Sequence, residues 1–146
     1  MMTQCERAAL IALKAHKGQK DKGGAPYILH LLTVAMDVKE HGDKAIAVGF
    51  LHDYLEDRKG TVDDLKGAGV HPDVIEAVVI LTRGIEPYKT YIHRIAKSGN
   101  RLAFLVKKAD LLHNMDLSRI NTPTQTDVLR TAKYREALFA LERDAA

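Results

Sequence analysis

Apolar residues recur at three- and four-residue spacing along nearly the whole chain, the periodicity of amphipathic helices. The first run, Thr3 to about His16, predicts a helix whose buried side carries Ala8, Leu10, Ile11 and Leu13. The stretch GQKDKGGAP breaks it with glycines and Pro26. Pro26 suits the first turn of the next helix, where its missing N–H has no helical partner anyway. That helix, PYILHLLTVAMDVKEHG, runs to Gly42 as its C-terminal cap. Asp43 is the expected N-cap of a third, DKAIAVGFLHDYLED, which stops near Arg58–Lys59–Gly60. Thr61 opens a short helix, TVDDLKGAG, whose early acids suit the helix dipole. Further helices are expected at about 72–82, 88–98, 100–117 and 124–143, with Asn100 as a cap and prolines at or between their starts. The β-branched run AVVIL at 77–81 reads as helix, because Val74, Ile75, Val78, Val79 and Leu81 keep the helical period. No strand pattern, repeat or low-complexity tract competes, so the expectation is all-α: one compact helical bundle-like domain over residues 1–146.

Composition narrows the setting. A chain of 146 residues that is 46% hydrophobic and 28% charged can bury one core without covalent help. With Cys5 as the only cysteine, no intrachain disulfide and no thiolate zinc cluster can form, which suits a reducing cytoplasm. The N-terminal MMTQCERAALIALKAHKG lacks the apolar run of a signal peptide. No stretch approaches the roughly 18 apolar residues of a membrane span. The expectation is therefore a cytoplasmic protein with no membrane partner. A net charge of +3 is modest, and acids alternate with bases along most helices. That balance fits a small anionic ligand better than nucleic acid, and without Trp there are few platforms for stacking bases.

The candidate chemistry lies in FLHDYLED, which holds His52, Asp53, Glu56 and Asp57. On a helix, residues three and four apart share a face, so His52 would neighbour Glu56, and Asp53 would neighbour Glu56 and Asp57. An imidazole among carboxylates is costly to bury unless a cation joins them. Imidazole and carboxylate together suit manganese, iron or zinc. Two other apolar helices carry the same kinds of side chain: His30 within YILHLLTVAM, and Asp110 among Val106, Ala109, Leu111 and Leu112. A shared metal ion would relieve three buried polar insertions at once. Each residue also has an ordinary reading. His52 to Asp57 can be a solvated face, His30 a hydrogen-bonded core histidine, and Asp110 the partner of Lys107 or Lys108.

The order His…His-Asp…Asp resembles the ligand signature of the HD phosphohydrolase superfamily. The runs AHKGQKDKGGAPYILHLLTVA, AVGFLHDYLED, VVILTRGIEPYKTYIHRIA and VKKADLLHNM resemble the hydrolase domain of the RelA/SpoT-type alarmone enzymes and the small alarmone hydrolases. They span residues 15–115 in the family's order. The resemblance implies that His30, His52, Asp53 and Asp110 hold the metal, expected to be Mn²⁺. It implies that Glu56 and Asp57 are the catalytic acidic pair, and that Asn114 contacts the nucleotide sugar. The implied reaction removes the 3′-pyrophosphate of (p)ppGpp. Four protein ligands would leave room for water and substrate, and Glu56 could orient or deprotonate that water while Asp57 assists or protonates the leaving group.

There are departures from the family pattern. Asp21–Lys22 stands where the family has Arg-Lys, and an aspartate cannot stack on guanine, which opens the choice to adenine alarmones such as pppApp. Leu31 replaces a proline, and Asp116 and Leu117 replace pocket residues. No synthetase domain follows, so alarmone synthesis is not expected. Lys20, Lys22, Lys107, Lys108 and Arg119 are candidate phosphate contacts. Lys22 is the foremost because its glycine-rich loop gives it reach, while bases on helices are mostly solvated. Tyr27 is expected to pack under the metal site or frame the base pocket. His16, His41, His71 and His93 read as surface residues, His113 as a residue that can face the site, and Cys5 as packing. Two alternatives remain: an HD phosphohydrolase acting on another nucleotide or on NADPH, and a non-catalytic nucleotide sensor. Oligomeric state is left open.

Overall fold

The structure, a computed structural model, describes all residues from Met1 to Ala146. It contains α1 (Gln4–Ala15), α2 (Ile28–Asp37), α3 (Asp43–Leu51), α4 (Val62–Gly67), α5 (Pro72–Ile80), α6 (Tyr88–Lys97), α7 (Arg101–Asn114) and α8 (Gln125–Ala145), with short 3₁₀ turns at Lys39–His41 and Leu117–Arg119. There are no strands, only an isolated antiparallel bridge between Lys20 and Pro26 that closes the loop between α1 and α2. The all-α expectation holds, and 77–81 is helical through Ile80. Thr3, Thr61 and Thr124 each form a reciprocal capping box with the acid three residues on, satisfying amides that the first helical turn leaves free. Asn100 caps α7 as expected, its Oδ1 accepting from the Ala103 amide at 2.9 Å.

Several expected details are corrected. The buried face of α1 is Ala8 and Ala12, while Leu10 and Leu13 are 53% and 56% exposed. Small residues face α3 because the two helices pack closely, and the leucines are displaced to the outside. Pro26 precedes α2 rather than opening it, since Tyr27 occupies the N-cap position. Helix α2 itself ends at Asp37, and Gly42, at φ +102°, turns the chain into α3. Asp43 does not cap its own helix. Its carboxylate accepts from the Gln4 and Cys5 amides, at 2.9 and 2.8 Å, and so caps α1 from across the fold. Finally, α3 stops at Leu51, and His52 to Arg58 forms a succession of turns instead of two more helical turns.

Helix α3 is the axis of the molecule. Ala45, Ala47, Val48, Gly49, Phe50 and Leu51 are all buried, and it packs on α1, α2, α5 and α7. Gly49 permits the crossing with α2, because a Cβ there would lie 2.7 Å from the Ala35 Cα. Helices α2, α3 and α7 therefore meet pairwise, and α8 covers α6 and α7. One cluster of 29 buried hydrophobic residues runs through all of this. No helix is long and apolar enough to cross a membrane.

Because Asp43 satisfies two free amides at the start of α1, Asp43→Ala should destabilise the fold by about 1 kcal/mol. A urea unfolding midpoint lower than wild type, with unchanged slope, would show it.

Candidate metal centre

The meeting of α2, α3 and α7 brings the four expected ligands together. His30 lies on α2, His52 and Asp53 directly follow α3, and Asp110 lies on α7. Ligand atoms of His30, His52 and Asp53 all fall within 4.8 Å of one another. Asp110 Oδ1 is 3.0 Å from His30 Nε2 and 3.3 Å from His52 Nε2, and Asp53 Oδ2 is 3.2 Å from that same His52 nitrogen. His30, His52 and Asp110 are buried.

The turn after α3 creates this arrangement. His52 Nδ1 lies 2.7 Å from the Gly49 carbonyl, which can only accept, so Nδ1 carries the hydrogen and donates it. The Tyr54 amide takes the Leu51 carbonyl in a tight turn, and the helix ends. In the neutral ring, Nε2 then presents a lone pair toward two carboxylate oxygens, and neither contact has hydrogen-bond geometry. Burial opposes an imidazolium here, but Asp53 and Asp110 outweigh it and raise the His52 pKa well above its ordinary value. A divalent cation fits this set in place of that proton, because one buried imidazole nitrogen without a hydrogen-bond partner and two carboxylates converge on the same point.

The neighbours of these residues hold them in place. His30 Nδ1 is 2.7 Å from His113 Nδ1, and the rings stack at 5.0 Å. Burial, Arg119 and His30 hold the His113 pKa down to about 4, so His113 is neutral. His30 Nε2 hydrogen-bonds Asp110 Oδ1 at 3.0 Å, so the contact to His113 through the other nitrogen fixes the ring with Nε2 toward the centre. Asp110 also accepts from Asn114 Nδ2 at 3.0 Å and from Lys107 Nζ at 3.1 Å. Lys107 is buried rather than solvated and pairs with Asp110, one of the readings open to it, with its ammonium 5.0 Å from the centre of the Tyr91 ring. Burial disfavours the charges of both partners, yet their mutual attraction raises the pKa of Lys107 and helps lower that of Asp110. Tyr27 donates its hydroxyl to Asp53 Oδ2.

Beside the cluster lies a cavity of about 210 Å³ whose walls include Glu56, Asp57, Arg83, Lys107 and Asn114. The face-sharing expected of a continuous helix is corrected by the turns at 52–58. Glu56 accepts from the Arg83 backbone amide at 2.8 Å, and Asp57 accepts from Gln19 Nε2 at 3.2 Å, so the pair is tied to different parts of the chain. Desolvation at the cavity wall raises the Glu56 pKa, although the residue as a whole is exposed. A second cavity of about 380 Å³ shares Tyr27, Asp57, Asn114 and Tyr134 with the first and adds Lys22, Arg119 and Arg130. All three expected substrate contacts, Lys22, Tyr27 and Asn114, line it. Asp21 is not free at its wall. Oδ1 accepts from the Gly23 and Ala25 amides, and Oδ2 lies 3.2 Å from Arg119. His16, expected at the surface, is buried.

No family model matches the chain. Among curated proteins it is 34% identical over 134 residues to a GTP pyrophosphokinase of Streptomyces coelicolor, covering 81% of this chain and 15% of that protein. It is 30% identical over 141 residues to a probable guanosine-3′,5′-bis(diphosphate) 3′-pyrophosphohydrolase of Synechocystis, covering 87% of this chain and 18% of that protein. The chain thus spans less than a fifth of the length of these relatives. A solved structure of a metazoan ortholog of SpoT, reported to hydrolyse ppGpp and to play a role in starvation responses, superposes with a TM-score of 0.79. Identity there is 25%, over 99% of this chain and 86% of that one. Fold, site and likeness agree: the chain is an HD-type helical domain resembling the hydrolase domain of the RelA/SpoT-type enzymes.

Lys107→Met should destabilise the metal-free protein by about 3 kcal/mol, because it strands a buried carboxylate. Denaturation in chelator checks this. His113 is held neutral in the fold, so the unfolded chain protonates first as pH falls from 6.5 toward about 4, and stability declines across that window. A series of urea midpoints should fall over this range in the wild type and fall less in His113→Gln.

Proposed function

We propose that the chain is one HD phosphohydrolase domain that removes the 3′-pyrophosphate of guanosine or adenosine alarmones such as (p)ppGpp, using Mn²⁺ held by His30, His52, Asp53 and Asp110. The observation that carries this reading is the unpartnered His52 Nε2, aimed between the Asp53 and Asp110 carboxylates at the edge of a polar cavity. The relatives named as pyrophosphohydrolases supply the substrate class.

The bound ion would supply Lewis-acid polarisation of a phosphoryl oxygen and acidify water. The chain's own residues do the rest. Lys107 offsets the charge of Asp110, and Asn114 and His113 hold Asp110 and His30 in place. Glu56, with its raised pKa, takes the proton of the attacking water, and Asp57 assists from the other wall or protonates the departing oxygen. Lys22, Tyr27 and Asn114 line the cavity that receives the nucleoside portion. Asp21 presents no stacking cation there, because Arg119 and two loop amides occupy its carboxylate. Base choice is therefore less strictly guanine than a stacked arginine would make it.

The test is pyrophosphate release from ppGpp, pppGpp and pppApp by purified protein with Mn²⁺, beside a chelated control. Release should need the metal, and pppApp should be turned over alongside the guanine nucleotides. Asp53→Ala should abolish release, and Glu56→Gln should lower kcat by about 10²- to 10⁴-fold. Release of single phosphates from ordinary nucleotides or NADPH, with alarmones untouched, would replace this reading with the wider HD phosphohydrolase one. Alarmone binding without turnover in metal-loaded protein would make it a sensor.

A further inference from the structure

His16 is a buried imidazole, 2% exposed, that the mechanism above does not use. It closes α1, and its side chain reaches both halves of the site by separate routes. One route is polar: His16 Nδ1 lies 2.8 Å from Gln19 Oε1, and Gln19 Nε2 donates to Asp57 Oδ2 at 3.2 Å. The other is packing: the His16 ring stacks on Tyr27 at 5.5 Å, and Tyr27 donates to Asp53. The backbone between them is held as well. The Gln19 amide bonds the His16 carbonyl at 3.0 Å, and the Tyr27 amide bonds the Gln19 carbonyl at 2.8 Å.

Hydrogen-bond chemistry sets the direction of the polar route. Asp57 is acceptor-only when ionised, so Gln19 must turn its NH₂ toward it and its oxygen toward His16. His16 must then carry its hydrogen on Nδ1, which leaves a lone pair at Nε2, the buried atom without a partner. The opposite tautomer would bury an unpartnered N–H and turn the amide oxygen toward the carboxylate, both unfavourable. Gln19 is also the sole side-chain donor to the Asp57 carboxylate.

We propose that Gln19 is a positioning residue for Asp57, and that His16 acts through Gln19 by fixing which way its amide points. The proposal rests on the reading of Asp57 as one of the two acting carboxylates. Without Gln19 the carboxylate loses the donor that selects which oxygen faces the cavity. Without the His16 N–H, the amide is free to flip and oppose Asp57.

The test compares Gln19→Leu, His16→Phe and His16→Asn with wild type on ppGpp and Mn²⁺. His16→Phe keeps the ring stack but removes the donor, and His16→Asn restores an N–H near Nδ1. Gln19→Leu and His16→Phe should each lower kcat by about 10- to 100-fold with KM nearly unchanged, as loss of outer-shell support does, and His16→Asn should recover most of it. Adding Gln19→Leu to Asp57→Asn should cost nothing further, because the residue acted upon is gone. Independent losses that multiply in the double variant, an effect on KM alone, or no effect would each overturn the proposal. A second readout needs no turnover: the Gln19 side-chain NH₂ resonances in ¹⁵N-labelled protein. They should move in both His16→Phe and Asp57→Asn, and indifference to either overturns the relay. Should wild type leave ppGpp intact, the functional reading fails while this spectrum still decides the inference.

Discussion

The His52 imidazole is buried with its two nitrogens committed to opposite tasks. The Gly49 carbonyl claims the hydrogen on Nδ1, which turns the lone pair of Nε2 toward Asp53 and Asp110. Lone pairs crowded in a dry interior repel, so this point must hold either a proton or a metal ion. Much of the surrounding structure serves that constraint. Gly49 lets α2 approach α3 closely, which places His30 beside His52. The end of α3 at Leu51 sends Asp53 to the same point. Lys107 balances Asp110 from one turn earlier on α7.

Neighbouring side chains keep these four residues oriented. His113 holds His30, Asn114 holds Asp110, and Tyr27 holds Asp53. Arg119 extends this arrangement, donating to the His113 carbonyl and to Asn114 while pairing with Asp21. The loop between α1 and α2 is thereby fastened to the end of α7. The charge that the alarmone hydrolase pattern places on that loop is reversed here, and the basic partner comes from the 3₁₀ turn after α7 instead. Asp21 and Arg119 thus form an ion pair in the wall of the second cavity.

Sequence reasoning leaves Lys107 and His113 undecided and misplaces His16, each for a physical cause. Lys107 has three readings in the sequence, a phosphate contact, a solvated base or the partner of Asp110, and the buried Asp110 three residues later on the same face decides for the last. His16 reads as a surface residue because it ends a helix, but the following loop folds back across it and Tyr27 stacks on its ring. His113 stays undecided in the sequence because its role depends on His30 of α2, 83 residues earlier. The only available signal was its place next to Asn114. The acidic pair was legible, but the helical face proposed for it was not, because the turn after Leu51 depends on a side-chain bond from His52 to its own helix.

What the chain determined by itself was local. Helical periodicity, threonine caps with acids three residues on, and prolines at helix starts fix where most helices begin, because these interactions act within one or two turns. Polar residues within apolar helical runs drew attention to His30, His52, Asp53 and Asp110, but only the resemblance to the HD pattern singled them out as a set, and the structure brings them to one point. The tertiary structure alone decided which nitrogen of each histidine faces the centre, how Glu56 and Asp57 part company, which lysine is buried, and that Asp43 caps a helix other than its own. Each depends on groups far apart in sequence meeting at hydrogen-bond distance, and only the packing of α2, α3 and α7 sets those distances.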